Sequence, residues 1–225
     1  MRKKDQKAVV IFSGGQDSTT CLGWAMRRYR ETVAISFAYG QNHRVELAQA
    51  AKICSVLKIE HHVIEADFFG SLVDSALTHN GDVNKQHDRI AHLPASYVPN
   101  RNQFFITLSH AFAQKIGADV LVTGVCQTDY SGYPDCRAVF IKAIEKATNL
   151  GSDADIKILT PLMHLTKGEI FKLAEKEGVL ELVVNDSHTC YNGVRDKVHE
   201  WGAGCGECPA CVLRMKGFED YKQIK

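Results

Sequence analysis

A layered α/β fold built on a parallel sheet, ending in a small cysteine-rich tail, is what this sequence predicts. Three observations carry that expectation. Apolar runs of strand length alternate with stretches of helical spacing, a glycine pair follows the first run, and four of the eight cysteines crowd the last fifth of the chain.

The first strand is expected at 8–12 (AVVIF) and a helix at 18–30. A strand at 32–37, a helix at 43–57, a strand at 60–65, a helix at 102–116 and a strand at 119–123 follow. Helices between successive strands act as crossovers, which make those strands parallel. A fifth strand at 156–159 runs to Pro161. Thr166 with Glu169 then forms a capping-box pattern opening a helix that reaches about Glu177, before Gly178. Two stretches break the rhythm, 67–99 and 125–137, the second packed with Gly, Pro, Asp and Tyr, and loops on a rigid sheet often carry function. After Asn185 periodicity gives way to Cys and Gly.

With 225 residues, 45% hydrophobic and 24% charged, the chain reads as one globular domain with an appendage, which excludes a disordered tail, a collagen-like repeat or a coiled coil. Lys+Arg 27 against Asp+Glu 26 leaves a net charge of +1, so no overall field draws polyanions and no direct nucleic-acid binding is expected. No apolar run approaches membrane-spanning length, and MRKKDQK before AVVIF is too brief an opening for a signal-peptide core. A cytoplasmic location is expected, where thiols serve as core residues, metal ligands or catalysts rather than as disulfides.

Ser13-Gly14-Gly15-Gln16-Asp17-Ser18 lies between the first strand and a helix, at the carboxyl end of what should be a central strand. Ligands bind there in open α/β sheets. The glycines let backbone approach an anion, the helix start supplies unpaired N–H groups, and the serines add hydroxyl donors. Neither the Walker lysine nor the G-x-G-x-x-G spacing is present. S-G-G-x-D-S after a first strand instead resembles the pyrophosphatase-loop ATPases, a likeness that implies binding of the β- and γ-phosphates and transfer of AMP. Asp17 beside phosphates requires a cation, and Mg²⁺ suits an oxygen-rich site.

Cys205-x-x-Cys208-x-x-Cys211 with Cys190 upstream offers four thiolates, and Gly202, Gly204 and Gly206 free the backbone to wrap an ion. Zn²⁺ with four sulfurs makes a closed, structural site. Ligation by four cysteines also suits an iron–sulfur cubane, and spacing does not separate the two.

FSGGQDSTTCL, FAYGQNHR, VPNRNQFF, TGVCQTDYSGYPDCR, PLMHLTKGEI and TCYNG before C-x-x-C-x-x-C together resemble the 7-cyano-7-deazaguanine synthase family across nearly the whole chain. The resemblance implies an adenine nucleotide alpha hydrolase-like, Rossmann-like fold. It divides the chain into an ATP-binding α/β domain at 1–184 and a four-cysteine zinc-binding region at 185–225 packed on it. It also implies a ligase of queuosine biosynthesis that takes 7-carboxy-7-deazaguanine, ammonia and ATP through adenylated intermediates and an amide to the nitrile, with Mg²⁺ accompanying ATP, and a homodimer. ATP-binding residues carried over are Phe12, Ser13, Gly14, Gly15, Gln16, Asp17, Ser18, Thr19, Thr20, Cys21 and Leu22. Catalytic roles fall to Asp17, Arg101 and Lys167.

For the second substrate the expected residues are Tyr39, Gln41, Arg101, Asp129, Tyr130, Tyr133, Asp135 and Arg137. An Arg fork matches two oxygens of a carboxylate or phosphate, a carboxylate accepts the N–H pair of a guanine-type edge, and a tyrosine can stack on the ring. A capping role for the aspartates and core roles for the tyrosines are the competing reading. Cys126 and Cys136 are expected in the core. The family pattern has glycine where this chain has Asn100, which bears on the loop before Arg101. Two other functions fit parts of the pattern: a tRNA thiolase, which would need a basic tRNA surface, and a zinc-tailed nucleotide-binding adaptor that never consumes ATP.

Overall fold

The structure, a computed structural model, describes residues 4–40, 45–73, 75–77, 85, 93–128 and 133–225. The chain runs through β1 (Lys4–Ile11), α1 (Gln16–Arg28), β2 (Tyr29–Ala38), α2 (Val45–Leu57), β3 (Glu60–Glu65), α3 (Asp67–Ser71), α4 (Arg101–Lys115) and β4 (Val120–Val122). After a 3₁₀ turn at Pro134–Cys136 come α5 (Ala138–Ser152), β5 (Lys157–Leu159), α6 (Lys167–Glu177), α7 (Leu180–Asn185), the short strands β6 (Val198–His199) and β7 (Gly202–Ala203), and α8 (Pro209–Ile224).

The first five strands form one sheet in the order β3-β2-β1-β4-β5, every neighbouring pair parallel. β1 is central, with Val9 opposite Val33 on one side and Leu121 on the other. The chain leaves β1 for β2 and β3 on one side and crosses back to β4 and β5 on the other, so a crevice opens at the carboxyl end of β1. The sheet is apolar on both faces because helices cover both. Val9, Ile35, Phe37 and Leu121 pack with Ile106 and Ile141 on one face, while Val10, Ala34 and Val122 pack with Leu22, Ile53 and Ile170 on the other. Burial of each Val, Leu, Ile or Phe among them stabilises the fold by about 1.5–3 kcal/mol.

The five parallel strands are where the sequence placed them, with β1 and β2 longer than expected. Four helices were not anticipated, the short α3 and α7 and the longer α5 and α8. α5 fills the crossover between β4 and β5, and the cysteine-rich tail ends in a helix of 16 residues, α8. Metal-ligand spacing and Gly217 obscured its periodicity. Thr166 caps α6 as the pattern required, its Oγ1 accepting from Glu169 N–H while the Glu169 carboxylate accepts from Thr166 N–H. No helix among the described residues is long and apolar enough to cross a membrane.

α8 folds back along α6 at a contact that only glycine allows. A Cβ on Gly217 would lie 2.3 Å from Lys167 Cβ, and one on Gly168 would lie 2.9 Å from Asp220 Cβ. Phe171, Phe218 and Tyr221 close the same seam. Gly217→Ala should therefore push α8 off the start of α6 and cost about 1–3 kcal/mol. A drop in Tm of several degrees is expected, and an unchanged Tm in thermal denaturation contradicts the contact.

Candidate active site

The turn after β1 has one conformation because it is pinned from two sides. Gly14 sits at φ 80°, in the left-handed region. A Cβ there would lie 2.7 Å from Glu46 O and 2.8 Å from Ala50 N, so glycine is required by both torsion and space. Ser13 and Ser18 hydroxyls are 3.1 Å apart, Gly15 N–H donates to Ser13 Oγ, and Ser18 Oγ donates to Gly15 O. Gly15 is the N-cap of α1 and offers no side chain to the first-turn amides, which leaves them to an anion.

Lys167, the first residue of α6, places Nζ 2.7 Å from Asp17 Oδ2. The lysine side chain is 11% exposed and the aspartate 27%, so water screens this pair less than a surface ion pair. Asp17 Oδ1 is buried and without a hydrogen-bond partner among the described residues. An orphaned carboxylate oxygen beside an open helix start is the donor that a magnesium ion accompanying a nucleotide takes, so these residues fit one.

Across the crevice, Arg101 opens α4 amid Tyr39, Tyr133, Tyr191 and Asp135. Burial opposes its charge, yet these neighbours outweigh burial and hold its pKa above the ordinary arginine value. Arg101 donates to the Tyr39 hydroxyl, whose own pKa burial raises. Tyr133 OH lies 2.9 Å from Ser96 Oγ and hydrogen-bonds Tyr191. Asn100 stands at φ 60°. That explains why asparagine substitutes for the family's glycine, since it tolerates the left-handed region better than most residues.

These groups share a cavity of about 1020 Å³. Phe12, Ser13, Gly15, Gln16, Asp17 and Ser18 of the turn line it together with Tyr39, Arg101, Tyr133 and Lys167. Gly14 is not among the lining residues and packs against α2. Thr19, Thr20, Cys21 and Leu22 do not reach the cavity. They continue into α1 with 0% exposure, and Thr20 Oγ1 donates to Gln16 O within the helix. Asp135 is also absent from the lining, and its Oδ2 accepts from Asn102 N–H at 3.0 Å, which caps α4. The capping alternative is thus the geometry observed. Arg137 is exposed at the start of α5, away from the cavity. Gln41, Asp129 and Tyr130 lie outside the described residues. Cys126 and Cys136 line the cavity, where the Cys126 thiol donates to Leu165 O and the Cys136 sulfur accepts from Asn102 Nδ2.

Cys190, Cys205, Cys208 and Cys211 bring their sulfurs within 4.8 Å of one another. Cys205 and Cys211 sulfurs are 3.9 Å apart, close to the roughly 3.8 Å edge of a tetrahedron with 2.3 Å zinc–sulfur bonds. Hydrogen bonds from Cys208 and Cys211 hold the Cys190 thiol well below the usual range, while Cys211 is driven far above it. Four thiolates this close repel one another unless a cation neutralises them.

Sequence reasoning missed Glu46, Tyr191, His188 and Arg214. They come from three separate stretches of the chain, and their polar types are ordinary in helices and loops. Glu46 lines the cavity, and burial raises its carboxyl to about 7 against the pull of Arg101. Arg214 is 1% exposed and donates to Trp201 O, Ser187 Oγ, Thr189 Oγ1 and Val183 O.

A family model described as queuosine biosynthesis protein QueC matches residues 7–222. A 7-cyano-7-deazaguanine synthase from Wolinella succinogenes is 52% identical over 96% of this chain and 93% of its own length. One from Helicobacter pylori strain 26695 is 50% identical over 98% and 99%. Among solved structures, an NH3-dependent NAD synthetase from Campylobacter jejuni covers 81% of this chain and 68% of its own at 16% identity, with a TM-score of 0.49.

Glu46 gives the cavity a pH signature. Its folded pKa of about 7 lies above the ordinary 4.5, so its contribution to stability is full below pH 4.5 and is lost as pH rises to about 7. Glu46→Gln escapes that loss. Its Tm relative to the parent should rise between pH 5 and pH 8, and a pH-independent difference refutes the burial.

Proposed function

This chain belongs to the queuosine biosynthesis protein QueC family, and on that premise we propose that it is an ATP-dependent ligase converting 7-carboxy-7-deazaguanine and ammonia to 7-cyano-7-deazaguanine. The observation that carries this reading is one cavity holding both an anion-binding turn with its Lys167–Asp17 pair and an arginine ringed by phenols.

A carboxylate is a poor electrophile, and adenylation converts its oxygen into a leaving group. The substrate carboxylate attacks the α-phosphorus of ATP and pyrophosphate departs. Ammonia then attacks the acyl carbon, AMP leaves, and a proton is lost as the amide forms. The amide oxygen attacks a second ATP, pyrophosphate departs again, and loss of AMP and two protons overall leaves the C≡N bond. Both activations displace pyrophosphate from the same kind of centre, so one nucleotide site serves both. Alignment of the attacking oxygen against the α-phosphorus contributes more than acid–base catalysis.

Ser13, Gly15, Gln16 and Ser18 would grip the β- and γ-phosphates, so that pyrophosphate is the fragment held while AMP is transferred. Asp17 Oδ1 would hold Mg²⁺, which offsets phosphate charge when bound. Lys167, released from Asp17 by the incoming nucleotide, stabilises the negative charge that grows on the departing phosphates. Arg101 clamps the carboxylate that is to be activated, with the ring of Tyr39 or Tyr133 against the base. The four cysteines would hold zinc as a structural ion, the 185–225 region being an extension of the 1–184 domain. Cytoplasmic location and a homodimer complete the reading.

Incubating the base with Mg-ATP and ammonium and following it by mass spectrometry should show the amide and then the nitrile, with AMP and pyrophosphate as nucleotide products. ADP and orthophosphate alone would overturn the reading. Lys167→Ala should lower kcat by roughly 10²-fold, and normal turnover by that variant removes Lys167 from the chemistry.

A further inference from the structure

The polypeptide between α7 and the hairpin of β6 and β7 touches both the metal centre and the phosphate-binding turn. His188 N–H donates to Gly14 O at 2.9 Å, and a Cβ on Gly15 would meet His188 O at 3.3 Å. The strap 187–191 therefore lies against both glycines of the turn. Two residues later Cys190 supplies a sulfur to the four-cysteine cluster, and the His188 ring donates from Nε2 to Cys190 O at 3.1 Å.

Arg214 holds this strap in place. It lies on α8 less than one turn after Cys211, and its Nη1 donates to Ser187 Oγ at 3.0 Å and to Thr189 Oγ1 at 2.9 Å. Nε donates to Trp201 O and Nη2 to Val183 O. Gly202 makes room for this, since a Cβ there would lie 2.4 Å from Arg214 Nη2. Every acceptor is neutral, and no carboxylate pairs with Arg214 among the described residues, although it is 1% exposed. A buried guanidinium needs compensating negative charge. The groups that can support its charge are Cys211, once an ion holds it as thiolate, and Asp17 of the turn. A divalent ion held by four thiolates carries a net charge of −2, so a loaded centre supplies that charge.

We propose that the metal centre, through Arg214 and the strap at Ser187–Thr189, holds the phosphate-binding turn in its nucleotide-competent shape, so that metal occupancy and nucleotide affinity are coupled. Arg214, Ser187 and His188 are positioning residues under this proposal, and it rests on the reading of the turn as a nucleotide site. Coupling of this kind is reciprocal: the metal raises nucleotide affinity, and nucleotide raises metal affinity by the same factor.

Ser187 is 0% exposed and does not line the cavity, so replacing it reaches a ligand only through its neighbours. The zinc-loaded protein, Ser187→Ala and the near-isosteric Thr189→Val would be titrated calorimetrically with a Mg–ATP analogue and, separately, with 7-carboxy-7-deazaguanine. Thr189→Ser, which keeps the hydroxyl, serves as the rescue. We expect roughly fivefold or greater loss of nucleotide affinity in Ser187→Ala and Thr189→Val, parental affinity in Thr189→Ser, and base affinity retained throughout. In the parent, saturating Mg–nucleotide with magnesium in excess should raise zinc affinity, measured against a chromophoric chelator, by a comparable factor. Unaltered nucleotide affinity in both variants, equal losses for nucleotide and base, or zinc affinity indifferent to nucleotide would each overturn the coupling. A parent that binds the base but no nucleotide refutes the nucleotide reading of the turn, and the coupling with it.

Discussion

The left-handed turn at Gly14 is the constraint on which the rest of the site depends. β1 ends there at the centre of the sheet, and the chain must reverse into α1 with no Cβ in the way of α2. Parallel neighbours on both sides leave the crevice at that end unfilled. The same reversal leaves the start of α1 without a side-chain cap. Unpaired amides that weaken an ordinary helix are also the groups to which an anion can bind at such a helix start.

Charge in the cavity is arranged around that turn. Lys167 arrives from the capping box of α6 and meets Asp17 across a sequence gap spanned by most of the chain. α8 then presses on Lys167 through Gly217, so the lysine's backbone position is set by a helix that begins among the metal ligands. Arg101 lines the same cavity among Tyr39, Tyr133, Tyr191 and Asp135, and the Tyr39 hydroxyl accepts its hydrogen bond. The aspartate nearest in sequence type to a base-reading group is instead spent on capping α4.

The cysteine-rich region is therefore more than an appendage. Its ligand Cys190 belongs to the strap that hydrogen-bonds the turn, and its final helix buttresses α6. Thiols clustered this tightly are unfavourable neighbours until a cation is bound, so the region's order and its ion are physically inseparable.

Sequence alone determined the parallel sheet, the glycine turn and the four cysteines that cluster. Each is a local matter: strand and helix periods differ, a left-handed torsion selects glycine, and a turn wraps an ion only at close cysteine spacing. The family's motifs added Lys167 and Arg101, and the left-handed Asn100 shows why one departure from them is tolerated. Tertiary structure alone decided that Asp135 caps a helix, that Thr19 to Leu22 sink into the core, and that Glu46, His188 and Arg214 meet at the site. Those outcomes depend on which distant segments become neighbours, and burial and hydrogen-bond partners leave no periodic trace in the chain that could be read beforehand.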